Sequence, residues 1–280
     1  MNKFGLIGYP VQHSYSAIMH NAAFQELGIA ASYELFEVRP EKLAADVQGL
    51  IEAGICGFNV TIPHKEKIIA SLDQVTPEAE LIGAVNTIKV NPDKTTQGFN
   101  TDGPGFIEHL VQAVGFDPKD KQVSILGAGG AAKAVSLQLA SAGAKQITLF
   151  DIDKDKAQGL ADKLTDNFSG VKTVLAAEPN QLLRDETALL INATPVGMHQ
   201  EDQLVFDPGL FHSKLMVYDL IYNPAQTALL QEAKRKGCAG IFNGLGLLLY
   251  QGVLAFKIWL GIDPPIAVME ESLRKVLNQN

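Results

Sequence analysis

Apolar residues along this chain come in short blocks closed by glycine, proline or polar turns. The blocks alternate with stretches whose apolar positions recur at helical spacing. Phe4-Gly5-Leu6-Ile7-Gly8 reads as a buried strand closed by Tyr9-Pro10. After a polar loop, Ile18, Met19, Ala22, Ala23 and Leu27 mark a helix that Gly28 stops. Residues 32–38 alternate as a strand, Pro40 opens a helix to Glu52, and Ile55 to Val60 form the next strand. Strands are expected up to Val90 and at 97–99, then a helix from Pro104 to Val114. The second half repeats the alternation, with strands at 121–126, 146–150, 172–175, 188–192, 216–220 and 239–242. Helices are expected up to Ala142 and at 226–236, 244–260 and 267–277. Strand–helix alternation of this kind predicts an α/β protein whose N-terminal part carries a mostly parallel sheet.

A length of 280 residues suits two domains, and 46% hydrophobic with 19% charged residues suits a globular chain. A net charge of -8 argues against a nucleic-acid or anionic-membrane partner, which needs a basic face. The two cysteines, Cys56 and Cys238, and the six histidines show no metal-ligand spacing, so no metal is expected. No signal peptide is legible before the first strand. The most apolar stretch, Leu245 to Leu260, is interrupted by Gln251 and Lys257 and is short for a membrane span. A cytoplasmic protein is expected, either monomer or homodimer.

The strongest chemical signal is Gly127-Ala128-Gly129-Gly130-Ala131-Ala132, placed directly after a strand and opening a helix. This is the Gly-x-Gly-x-x-Ala pattern of a Rossmann-type dinucleotide-binding domain. Gly127 permits the tight turn, Gly129 admits a pyrophosphate, and Ala132 lets the helix lie against the sheet. Asp151 closes the next strand, where a carboxylate accepts from the ribose hydroxyls of NAD and repels the 2′-phosphate of NADP. Lys154 and Lys156 are the nearest cations and leave NADP open. The strand-end loops Asn192 to Gly197, with Thr194, and Leu220 to Pro224 are expected walls of the cofactor site.

A second cluster lies in the first half. Asn59-Val60-Thr61-Ile62-Pro63-His64-Lys65 ends a strand, and Pro63 favours a first helical turn that would carry Lys65. An amide, a hydroxyl and an ammonium there suit a polyhydroxylated small molecule; a solvated lysine beside an ordinary turn is the other reading. Ser14 and Ser16 stand before a helix that Ser16 could cap, and their two hydroxyls also suit an anion site; both readings can hold together. Asn86 and Asp102 also sit at strand–loop junctions, where open α/β sheets gather ligands, although Asp102 also suits a helix cap.

Together these motifs resemble the shikimate/quinate dehydrogenases over nearly the whole chain. The resemblance rests on Ser14-x-Ser16 with His20-Asn21, Asn59-Val60-Thr61-x-Pro63-x-Lys65, Gly83-Ala84-Val85-Asn86-Thr87, Asn100-Thr101-Asp102, the glycine-rich turn, and Gly246 to Gln251. It implies a substrate-binding catalytic domain at 1–103, completed by helices at 250–280, with the Rossmann domain at 104–249 between them and the active site in a cleft. The implied reaction is reversible oxidation of the shikimate C3 hydroxyl, with quinate as a further candidate substrate. Lys65 and Asp102 would be the catalytic pair, with Lys65 as acid/base or as holder of the alkoxide-like oxygen. Ser14 and Ser16 would bind the substrate carboxylate. Asn59, Thr61, Asn86, Tyr222 and Gln251 would bind its hydroxyls, although Gln251 also suits a solvated helix face. Ile221 and Gly244 would flank the nicotinamide, with Leu247 near it in place of a common Met. Ala17 replaces a common Pro.

Related NADP users carry Asn-Arg-Thr where this chain has Asp151-Ile152-Asp153. The acid in place of the phosphate-binding Arg resembles NAD users. Ser16, where quinate-favouring members tend to have Thr, suggests good use of shikimate. Asp151 opposes an NADP-dependent biosynthetic enzyme, and intact Lys65 and Asp102 oppose a non-catalytic sensor of shikimate and NAD.

Overall fold

The computed structural model describes residues 1–199 and 201–277. The chain divides into two compact units. One comprises Met1–Gly105 with the chain from Leu248 onward; the other is Phe106–Leu247.

The first unit runs β1 (Asn2–Gly8), α1 (Ser16–Glu26), β2 (Ala31–Glu37), α2 (Leu43–Glu52), β3 (Ile55–Val60), β4 (Gln74–Val75), α3 (Pro77–Ile82), β5 (Thr87–Val90), β6 (Thr96–Phe99) and the start of α4 (Asp102–Glu108). The second adds β7 (Gln122–Leu126), α5 (Gly130–Ser141), β8 (Gln146–Phe150), α6 (Lys154–Asn167), β9 (Lys172–Leu175), β10 (Thr187–Asn192), β11 (Met216–Asp219), α7 (Ala228–Arg235) and β12 (Gly240–Phe242). Helix α8 (Leu245–Leu260) returns to the first unit, which ends in α9 (Ile266–Leu277). No helix among the described residues is long and apolar enough to cross a membrane.

The first sheet has the order β2-β1-β3-β5-β6-β4. β1 pairs in parallel with β2 and β3, whereas β5 runs antiparallel to both β3 and β6. The apolar part of β1 is buried continuously, as a central strand covered on both faces must be. Pairing β5 against β3 sets Thr87 directly opposite Asn59, a register that matters for the site. The core below includes Ile7, Val47, Phe58, Ile68 and Ile88.

Three local points go beyond the expectations or change them. Helix α1 buries Ser16, Met19, His20, Ala23 and Phe24, whereas Ile18 and Leu27 are exposed. The inward face is therefore not set by the apolar count alone, because α1 packs on β2 and α9 and the flat His20 ring stacks on Tyr33 at 4.6 Å. The expected turn of helix carrying Lys65 does not form: Lys65 lies in a turn, and a 3₁₀ helix starts only at Lys67. The turn is held instead by His64 N–H on the Thr61 carbonyl (3.0 Å) and the His64 ring on the Val38 carbonyl (2.6 Å). The helix expected from Pro104 begins at Asp102, because the Asn100 side-chain oxygen accepts from the N–H groups of Asp102 (3.1 Å) and Gly103 (3.2 Å). It then widens into a π turn at His109–Ala113.

The second sheet is parallel throughout, ordered β12-β11-β10-β7-β8-β9. Counted from β7, this is the doubly wound 3-2-1-4-5-6 arrangement of dinucleotide-binding folds.

Gly57 faces the indole of Trp259, whose N–H donates to the Ile88 carbonyl at 2.9 Å. A Cβ at Gly57 would stand 2.5 Å from the indole nitrogen. Gly57→Ala must displace that ring, and urea unfolding should show a loss of about 1–3 kcal/mol. Burial pushes the His20 imidazole down from 6.5 to about 3, and neither ring nitrogen has a partner among the described residues. The unfolded chain thus binds a proton that the folded chain refuses. His20 contributes stability above the unfolded value of 6.5, and that contribution is lost as pH falls toward 3. In urea unfolding between about pH 6 and pH 4, His20→Phe should remove roughly 1.4 kcal/mol per pH unit of the stability slope.

Candidate active site

In the first unit, adjacent strands deliver polar side chains into one hydrogen-bonded line. The Lys65 ammonium donates to Asp102 Oδ2 at 2.6 Å, with side-chain exposures of only 19% and 8%. The other carboxylate oxygen, Oδ1, accepts from the Asn86 amide at 2.8 Å. Asn86 Oδ1 accepts from the Thr101 N–H at 2.7 Å, which fixes the amide with its donor toward the carboxylate. Because Asn100 caps α4, Asp102 is released from capping, and its carboxylate serves Lys65 and Asn86 instead.

The line continues on the other side. Asn59 donates to the Asn86 carbonyl (3.1 Å) and to the Thr87 hydroxyl (2.9 Å). Its amide oxygen accepts from the Tyr33 hydroxyl at 2.8 Å. Asn59 has both N–H donors committed inside the protein, so any ligand would meet it as an acceptor. Burial drives the Tyr33 phenol well above its ordinary value, while a hydrogen bond from Ser16 acts the other way. Ser14 donates to the Ser16 hydroxyl at 3.2 Å, and the Ser16 N–H donates to Ser14 Oγ at 3.3 Å. Ser16 is the first residue of α1, one position past the N-cap Tyr15, and its own N–H is taken by Ser14 Oγ, so the capping expected of Ser16 does not fall to it. The two hydroxyls stand together at a helix N-terminus, an arrangement that favours an anion.

Thr61 is half-buried just beyond β3. Gln251 is buried rather than on a solvated face, with one amide hydrogen on the Leu248 carbonyl at 2.8 Å. It leaves an amide oxygen and one N–H for a ligand. Gly105 lets α4 approach α8 here, since a Cβ on it would lie 2.6 Å from the Gln251 backbone nitrogen.

The second unit carries the nucleotide motif. Gly127 has φ of +107°, and a Cβ there would press on the Ala193 carbonyl and Thr194 at 3.0 Å. Among the described residues nothing crowds Gly129, so packing there does not explain its missing side chain. Gly129, the N-cap residue of α5, has no side chain with which to cap it. The first N–H groups of α5, with Gly130 and Ala131 at its start, therefore suit a pyrophosphate. Ala132 is fully buried against the sheet. Asp151 holds this turn: one carboxylate oxygen accepts from the Ala128 N–H (2.7 Å) and the other from the Asp153 N–H (2.8 Å). Ile152 beside it is 91% exposed. Lys156 is paired with Asp153 at 3.1 Å.

The loops after β10 and β11 are tied by a residue that the motif reading passed over. Asp219, fully buried, accepts from the Asn192 amide (3.0 Å), the Ile221 N–H (3.1 Å) and the Thr227 hydroxyl (2.6 Å). Burial raises its carboxyl despite these donors. The Thr194 hydroxyl donates to Asn192 Oδ1 at 2.7 Å, so Thr194 and Ile221 share one support. Tyr222 follows, half-buried. Gly244 admits no side chain, because a Cβ would collide with the Leu220 carbonyl, and its N–H donates to the Ile221 carbonyl at 2.9 Å. Leu247 is buried on the first turns of α8.

Tyr33 and Asp219 were not singled out from sequence, and Thr87 and Thr101 were named within motifs but given no role. The available signal was a polar residue at an inward strand position or beside a motif asparagine, and it is faint because threonine and tyrosine are ordinary strand residues.

Residues 6–88 match the family described as shikimate dehydrogenase substrate binding domain, and residues 244–274 match the shikimate 5'-dehydrogenase C-terminal domain. A shikimate dehydrogenase (NADP(+)) of Methanopyrus kandleri is 44% identical over 97% of this chain and 94% of its own length. A solved shikimate dehydrogenase in complex with NADP+ superposes with a TM-score of 0.91 at 41% identity, covering 99% of this chain and 96% of that one. The shikimate 5-dehydrogenase of Listeria monocytogenes, solved with shikimate and NAD, gives 0.88 at 37% identity, covering 98% and 96%. The site geometry, the doubly wound second sheet and this full-length similarity lead to one conclusion: the chain belongs to the shikimate/quinate dehydrogenase family.

Proposed function

We propose that this chain is a shikimate dehydrogenase that prefers NAD, with quinate as a secondary substrate. The observation that carries the reaction is the Lys65–Asp102 contact at 2.6 Å, with the second carboxylate oxygen held by Asn86. In this reading residues 1–103 and 250–280 bind substrate, and residues 104–249 bind the dinucleotide. Ser14 and Ser16 take the substrate carboxylate, while Thr61, Tyr222 and Gln251 take hydroxyls, with Asn59 as an acceptor; the Asn86 amide, expected to bind a hydroxyl, is instead fully engaged with Thr101 and Asp102.

A bound nicotinamide dinucleotide supplies the two-electron acceptor for oxidation. The residues do the rest. As the C3–H bond breaks and hydride leaves, the C3 hydroxyl loses its proton and becomes a carbonyl. As the neutral amine Lys65 receives that proton and becomes the ammonium; as the ammonium it holds the oxygen that bears the developing charge. Asp102 keeps the ammonium aimed, and Asn86 keeps Asp102 from turning. In reduction the same lysine returns a proton to the oxygen.

The cofactor reading rests on Asp151. Its carboxylate is pinned beside the glycine-rich turn, where a ribose 2′-phosphate would meet a like charge. Ile152 offers no cation, and Lys156 is already paired with Asp153. The NADP(+) users among the relatives favour the other reading, and kinetics decide between them.

Steady-state kinetics with shikimate or quinate, each with NAD or NADP, test the proposal. We expect kcat/KM to favour NAD by about tenfold or more, and shikimate to be used better than quinate. The double change Asp151→Asn with Ile152→Arg should narrow or reverse the cofactor ratio. Equal or better use of NADP by the unaltered protein would refute the NAD reading and leave the family assignment standing. Lys65→Ala should lower kcat by about 10²- to 10⁴-fold. Turnover unchanged by that substitution would remove the catalytic role, and tight binding of shikimate and NAD without formation of reduced nicotinamide would point to a sensor.

A further inference from the structure

Thr87 has no exposed surface, so no ligand can touch it. Its hydroxyl nevertheless joins the two halves of the polar line. It accepts from Asn59 Nδ2 at 2.9 Å. On its other side it lies 3.2 Å from Asn86 Oδ1 and 3.0 Å from Thr101 Oγ1.

Hydrogen-bond accounting gives the line a direction. Tyr33 donates to Asn59, and Asn59 donates to Thr87. A hydroxyl has one proton to give, so Thr87 passes its own to Asn86 or Thr101. Asn86 then donates both amide hydrogens onward, to Thr101 Oγ1 at 3.0 Å and to Asp102 Oδ1 at 2.8 Å. Lys65 closes the line from the far side. The arrows from Tyr33 end on the Asp102 carboxylate, and donors in series polarise one another toward it. The antiparallel register places Thr87 opposite Asn59, and its β-branched side chain has little rotamer freedom with which to depart.

We propose that Thr87 is a positioning residue for the reaction: it locks the amides of Asn59 and Asn86 and, through Asn86, holds Asp102 where it aims Lys65. The inference rests on the reading of Lys65 and Asp102 as the catalytic pair. Valine keeps the shape of threonine without its hydroxyl. In Thr87→Val, Asn59 loses an acceptor and Asn86 a neighbour, and the pair gains freedom.

The test is steady-state kinetics of Thr87→Val and Thr87→Ser beside the unaltered protein and Lys65→Ala, with melting temperatures. Thr87→Val should lower kcat roughly tenfold or more. KM for the dinucleotide should stay unchanged, and KM for shikimate should move less than kcat. Thr87→Ser, which restores the hydroxyl, should recover most of kcat even if its melting temperature is no higher than that of the valine variant. If the valine variant does not fold, Thr87→Cys replaces it with the same expectation.

Near-normal kcat in Thr87→Val beside an inactive Lys65→Ala overturns this inference alone. So does a kcat loss that Thr87→Ser fails to restore. Full turnover in Lys65→Ala overturns the reading of the pair, and this inference with it.

Discussion

An ammonium and a carboxylate 2.6 Å apart, both largely shielded from water, constrain everything around them. Removing two charges from solvent costs more than their attraction returns unless their remaining hydrogen-bonding capacity is met. The first unit meets it from several elements. Asn86 satisfies the second carboxylate oxygen. Asp102 occupies the first turn of α4, where the helix dipole favours an anion. The turn carrying Lys65 is tied to the segment before β5 by the Val85 N–H on the Lys65 carbonyl at 2.8 Å. Three separate stretches of chain are thereby committed to one pair of atoms.

The second unit answers a different constraint. A dinucleotide needs backbone close to its phosphates, and so a turn with no side chains in the way. The glycines supply access but not rigidity. Rigidity comes from carboxylates: Asp151 grips the turn after β7, and Asp219 grips the loops after β10 and β11. Asp151 thus serves the fold itself, through the N–H groups of Ala128 and Asp153.

The strands and the nucleotide turn were legible in the sequence because each reports itself locally. A buried parallel strand needs a continuous apolar run, and a tight turn at +107° needs glycine. Helix faces were less legible. The apolar count marked α1 as a helix without fixing its inner face: Ile18 and Leu27 are exposed, whereas Ser16 and His20 are buried. The count could not know that an aromatic ring on β2 would stack on the imidazole.

For the site, the sequence by itself determined the family pattern and the residue types: amides, hydroxyls, an ammonium and a carboxylate in a fixed order. It left Asp102 balanced between helix cap and ligand and Gln251 between solvent and interior, with Ser16 open to cap and anion site together. The tertiary structure decided the capping and the burial. Asn100 took the cap and released Asp102, Ser16 opens α1 without a side-chain cap bond, and the close approach of α4 to α8 at Gly105 accompanies burial of Gln251. The physical reason is that a polar side chain has several partners within reach of its own turn. Which one it takes depends on strands and helices that are distant in sequence and meet it only in the folded chain.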